Sequence, residues 1–193
     1  MKKPGLLYTL LGLGAVGAVL VTLKGRQRVV TFGKTFLGQQ ELTGNSGFRS
    51  ETLERLMSQV GWNKGDAWCV YFAKMVWYDM VPRAYRPIIL KKISGNSQQA
   101  YKNAQEDTTG VLKVSKYPKK GDIVIWQYFK GGVGQWKGHA GIVQKIGANS
   151  FFTIEGNTND VGGREGYTVA EKERGYDFKK NDGLRLKGFI SFA

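Results

Sequence analysis

The chain has one cysteine, Cys69, and one histidine, His139. A single thiol forbids an intrachain disulfide and any CxxC metal or redox site. With one imidazole, zinc sites built from several Cys and His ligands are excluded as well, although a site made of carboxylates is not. Acid is also scarce: 15 Asp and Glu stand against 29 Lys and Arg, a formal net charge of +14. Such an excess draws the surface toward polyanions, whether nucleic acid, acidic lipid or acidic cell-wall polymer. No block of five or six like charges occurs, and the basic residues come as pairs such as Lys91-Lys92, Lys119-Lys120 and Lys179-Lys180, the pattern of a solvated surface. A strand face with aromatics interleaved among Lys and Arg is also missing, so no nucleic-acid partner is expected.

What is present suffices for one domain and a short appendage. The 193 residues, 41% hydrophobic and 12% aromatic, can bury a core but cannot hold two enzymes. The uncharged run Pro4 to Leu23 would span roughly 30 Å as a helix, enough to cross a bilayer. Residues 1–24 are therefore expected to be a transmembrane anchor or signal segment. Ala15-Val16-Gly17 is a small-x-small triplet, which opens the alternative of a cleaved signal peptide and a secreted protein. The apolar run continues through Val19-Leu20-Val21 beyond that triplet and favours the anchor. Lys2 and Lys3 precede the run while Lys24, Arg26, Arg28 and Lys34 follow it. The positive-inside tendency and signal-anchor logic then give opposite topologies. Residues 25–42 read as a basic tether and residues 43–193 as the folded domain.

Within that domain Ser50 can cap a helix carrying Leu53, Leu56, Met57 and Val60 at helical spacing, with Gly61 as its stop. A second helix is expected from near Ala67 to about Met80, ended by Pro82, with Cys69 in its first turn. Val81 to Ile93 reads as a basic, apolar connection, and a short helix follows around Ser97 to Ala104. Beyond Tyr117-Pro118 the pattern changes to strands at Asp122–Trp126, His139–Gln144, Phe151–Glu155 and Gly188–Phe192. Helices first and an antiparallel sheet afterwards is an α+β order.

The chemistry-bearing pair is the lone cysteine at a helix start and the lone histidine at a strand start. Partial positive charge and unpaired N–H groups at a helix N-terminus favour a thiolate and can hold an oxyanion. An imidazole can take the thiol proton and return it to a leaving amine, provided a third group orients the ring.

Four segments occur in order around this pair: Gly65-Asp-Ala-Trp-Cys69-Val-Tyr-Phe-Ala73, Lys120-Gly-Asp-Ile-Val-Ile-Trp126, Gly138-His-Ala-Gly-Ile-Val143 and Thr153-Ile-Glu-Gly-Asn157. Together they resemble the CHAP family of cysteine, histidine-dependent amidohydrolase/peptidases, over about Thr43 to Phe192. The resemblance implies a papain-like α+β fold and hydrolysis of amide bonds in bacterial peptidoglycan, either the muramoyl–alanine link or a peptide cross-bridge. It also implies Cys69 as nucleophile, His139 as general base, Glu155 as the acid orienting the histidine and Asn157 as a further polar residue, with no cofactor. Glu155 and Asn157, two apart on a strand end, would share a face and converge on His139. Gly141 would permit a close approach, and Trp68, Trp126 and Trp136 are candidates to wall a groove. Asp66-Ala67 stands where family members frequently carry a proline. The expected partners are peptidoglycan and, through the N-terminal run, a membrane. The expected place is a bacterial envelope or the membrane of a lipid-containing phage particle, facing the wall. The rival reading is a non-catalytic basic envelope or virion protein that binds wall polymer or acidic lipid.

Overall fold

The computed structural model of the chain describes residues 24–159 and 166–192. The run Pro4 to Leu23, expected as an anchor, lies outside them. Among the described residues no helix is long and apolar enough to cross a membrane.

Helices come first and strands after, as expected of an α+β chain. The helices are α1 (residues 24–34), α2 (Glu51–Gln59), α3 (Cys69–Met80), α4 (Arg86–Lys92) and α5 (Ser97–Gln105). The strands are β1 (Leu112–Ser115), β2 (Ile123–Lys130), β3 (Val133–Ile146), β4 (Ser150–Thr158), β5 (Thr168–Gly175) and β6 (Gly183–Phe192). They form one antiparallel sheet in the order β1-β6-β2-β3-β4-β5.

Local chemistry accounts for the helix ends. The Ser50 hydroxyl accepts the Leu53 N–H, and Leu53 and Met57 are buried on the inner face of α2. Asn96 caps α5 by accepting from Gln98 and Gln99. Strand alternation divides the sheet's side chains into two cores. Ile123 and Ile125 of β2, with Ala140, Ile142, Ile154 and Ile190, face the buried side of α3 formed by Phe72, Ala73 and Val76. On the other side Val124, Trp126, Val143, Phe151, Leu186 and Phe189 pack under Tyr176, Phe178 and Leu184.

Three expectations change. Residues 25–42, read as a tether, include helix α1 and bury Val29, Val30 and Phe36 in the main core. Arg26 locks this segment down: its guanidinium donates to the wholly buried Asp122 at 2.6 Å and to the carbonyls of Lys120 and Phe192. The connection Val81 to Ile93 is largely helical, because Pro87 falls at the start of α4, where a missing N–H costs nothing. Strands β1 and β5 escaped the pattern because they are sheet edges. β5 carries Glu171, Lys172, Glu173 and Arg174 in succession, the charged composition by which edge strands avoid further pairing.

Candidate active site

Cys69 is the first residue of α3, and no side chain caps that helix. Its leading N–H groups therefore have no partner within the helix. Trp68, with no exposure to solvent, fixes this end edge-on against Phe48 and Phe72, with ring centroids 4.9 Å and 6.4 Å away. Strand β4 passes close beside it only because residue 156 is glycine. A Cβ there would meet the Trp68 ring at 2.5 Å and Phe72 Cβ at 2.7 Å.

His139 lies on β3 opposite Trp126 of β2, their rings 5.8 Å apart. The β3–β4 pairing runs from Ile146↔Phe151 to Ile142↔Ile154, and His139, Glu155 and Asn157 lie just past that last pair. There His139 Nε2 and Glu155 Oε2 are 2.8 Å apart in a buried hydrogen bond. Cys69 is close enough to the same ring to help raise its pKa. With Nε2 committed to Glu155, Nδ1 is the nitrogen left for the sulfur. Gly141 makes room for the acid, since a Cβ there would meet Glu155 Cγ at 2.7 Å, so the close approach expected at this glycine is that of a neighbouring side chain.

Glu155 is completely buried and holds four donors. Oε2 accepts from His139 and from Arg174 Nη2 at 2.5 Å. Oε1 accepts from Arg174 Nε at 2.8 Å and from the Thr153 hydroxyl at 2.5 Å. Burial opposes the negative charge, but the bonds and charges of Arg174 and His139 prevail and lower the carboxyl pKa to about 2. For His139 burial likewise opposes the charge, and the neighbouring Cys69 and Glu155 overcome it, raising the imidazole to about 10.

Cys69, His139 and Glu155 are thus brought together. Asn157 is buried two residues further on, in the left-handed region at φ 53°, where β4 and β5 shift register between Glu155 and Thr158. That irregularity breaks the simple alternation expected of Glu155 and Asn157. Among the described residues no hydrogen bond joins the Asn157 side chain to His139. Trp68 and Trp126 are core residues, whereas Trp136 is 73% exposed. It lines an open groove of about 1010 Å³ with Asn96, Gln98, Gln99, Lys102 and Lys187. None of Cys69, His139 and Glu155 lines this groove; Gln98 on its wall approaches Gly138, the neighbour of His139, its amide nitrogen 2.5 Å from where a Cβ would stand. Among the described residues no group of three His, Cys, Asp or Glu side chains is placed to hold a metal ion.

A thiol at an uncapped helix start, an imidazole and an ionised carboxylate in a row can move one proton to and from a nucleophilic sulfur. The family model described as the CHAP domain matches residues 61–157, half of the chain. The chain belongs to the CHAP family. Neither a curated protein nor a solved structure matches it. CHAP domains are in general hydrolases acting on peptidoglycan, so this chain is a peptidoglycan hydrolase in that general sense. The matched span contains Cys69, His139, Glu155 and Asn157 but neither Arg26 nor Arg174. Sequence reading missed Arg174. The one available signal was physical: a carboxylate destined for complete burial needs a cation, and β5 supplies one.

Proposed function

We propose that the chain cleaves an amide bond of peptidoglycan by thiol catalysis, with Cys69 as nucleophile, His139 as proton carrier and Glu155 as the group that orients His139. The observation carrying this reading is the buried chain Cys69–His139–Glu155 at the start of α3. In the reactive pair the Cys69 thiol passes its proton to the His139 imidazole, which Glu155 holds in place. The sulfur attacks the amide carbonyl carbon, and the resulting oxyanion is held by N–H groups at the α3 start. His139 gives its proton to the departing nitrogen as the C–N bond breaks, leaving a thioester on Cys69 and a free amine. Water then loses a proton to His139 and adds to the thioester. Collapse releases a carboxylic acid and restores the sulfur–imidazole pair.

The bond cleaved is the muramoyl–alanine amide or a peptide cross-bridge. The proposed place of action is the wall side of a membrane, a reading supported by the apolar run Pro4 to Leu23. Mass spectrometry of purified peptidoglycan after digestion tests the reaction. New amine and carboxyl ends should appear with the wild-type protein and be lost by orders of magnitude with Cys69→Ala or His139→Ala. Undiminished cleavage by either variant would overturn the assignment.

A further inference from the structure

Arg174 stands across from Phe151 in the β4–β5 register, four residues before Glu155 along β4. At about 3.3 Å per residue that is roughly 13 Å of strand. Phe151, Thr153 and Glu155 share one face of β4, so the Arg174 side chain runs along that face past Thr153 to reach the carboxylate. Its guanidinium also lies over the Trp126 ring at 5.3 Å, and that ring in turn lies against His139. Four donors on Glu155 fill the four acceptor positions of a carboxylate, which leaves it no alternative rotation with equal bonding. A surface ion pair would have no such consequence. Here the oxygen that Arg174 Nη2 holds is the same oxygen that receives the His139 ring.

We propose that Arg174 is a positioning residue of the active site, acting through Glu155 to fix the carboxylate against His139 and to moderate its pull on the imidazole proton. The inference rests on the reading of His139 as proton carrier in thiol hydrolysis. Two effects combine. The two-pronged contact sets the carboxylate's orientation, which a single ammonium at position 174 cannot reproduce. The positive charge shares Glu155 with the ring, so the imidazolium is bound less tightly than by an unshared carboxylate and releases its proton more readily to the leaving nitrogen. The groups facing Glu155 are His139 from β3, Arg174 from β5 and Thr153 from its own strand, and Cys69 of α3 also acts on the His139 ring.

The test uses the full chain and its only imidazole. NMR titration of the His139 ring, in parallel with the pH profile of kcat/KM on peptidoglycan, is run for wild type, Arg174→Gln and Arg174→Lys. Arg174→Gln should add an inflection in the ring signals between about pH 4 and 6, from protonation of Glu155. It should also move the acid limb of kcat/KM up by about one pH unit and lower kcat about tenfold. Arg174→Lys keeps the charge, so its titration should stay within about half a unit of wild type while kcat still falls several-fold. A folded Arg174→Gln protein whose ring titration and acid limb superimpose on wild type would overturn the proposal. If Arg174→Gln does not fold, Arg174→Lys decides: wild-type kcat in that variant overturns the positioning role. Absence of any wild-type cleavage would sink the hydrolase reading instead, and the NMR titration would still decide whether Arg174 governs the Glu155–His139 pair.

Discussion

His139 is the chain's only imidazole, so its titration curve reports one site without interference. Burial pushes its pKa down, and the Cys69 sulfur and the Glu155 carboxylate push it up, with the balance at about 10. Replacing Cys69 by Ala removes one of the two upward influences and leaves burial in place. The ring pKa should therefore fall by at least about one unit, read by NMR, with the charged imidazole lost at a lower pH than in wild type. A rise, or no change, would show that the sulfur does not act on the ring. Gly156 offers an independent check at the other end of the site. A methyl group there would press on Trp68 and Phe72 at distances under 3 Å, so Gly156→Ala should cost about 1–3 kcal/mol in urea unfolding. Residue types and order picked out Cys69 and His139, and the resemblance to the CHAP family added Glu155. Asn157 was less legible, because its left-handed backbone depends on how β4 parts from β5, and strand alternation contains no such information.

Secondary structure was readable wherever a cap or a periodic apolar face marked it, as with Ser50 before α2 and Ile123-Val-Ile-Trp126 in β2. It was unreadable where tertiary contacts decide. Helix α1 has a strongly basic start, and it takes the buried Asp122, 96 residues away, with the carbonyls of Lys120 and Phe192, to turn Arg26 from a tether residue into an anchor point. Arg26→Gln would strand that carboxylate, so stability should drop by roughly 3 kcal/mol, measured by denaturant unfolding. Equal stability would mean that α1 and the turn after it dock through Val29, Val30 and Phe36 alone. The groove between α5 and β3 gives the element-scale test of substrate binding. Trp136→Ala removes its exposed aromatic wall without touching the proton chain, so KM for peptidoglycan fragments should rise about tenfold with kcat within about twofold. A fall in kcat at constant KM would place the indole's influence on chemistry rather than on binding.

Across the whole molecule, the +14 net charge acts at longer range than any side-chain contact. At physiological ionic strength such attraction is screened over about 8 Å, so hydrolysis of whole anionic walls should slow as salt is raised. A small uncharged amide substrate should be far less affected, because the Cys69–His139 step is short-range and buried. Equal losses on both substrates would show salt acting on the site or the fold. An unchanged rate on walls would assign the charge to another partner.

Arg174 and Arg26 fall on either side of residues 61–157, the span by which the family is recognised. A chimaera made by exchanging that span between relatives would deliver the nucleophile, the imidazole and the acid into a host with no obligation to supply a guanidinium for Glu155 or for Asp122. Recombination that preserves activity is then expected to carry Arg26 and Arg174 along with the span they serve rather than to break at the recognised borders. Homologous swaps at 61 and 157 should yield proteins that retain every signature residue but work only where the host itself supplies the counter-ions.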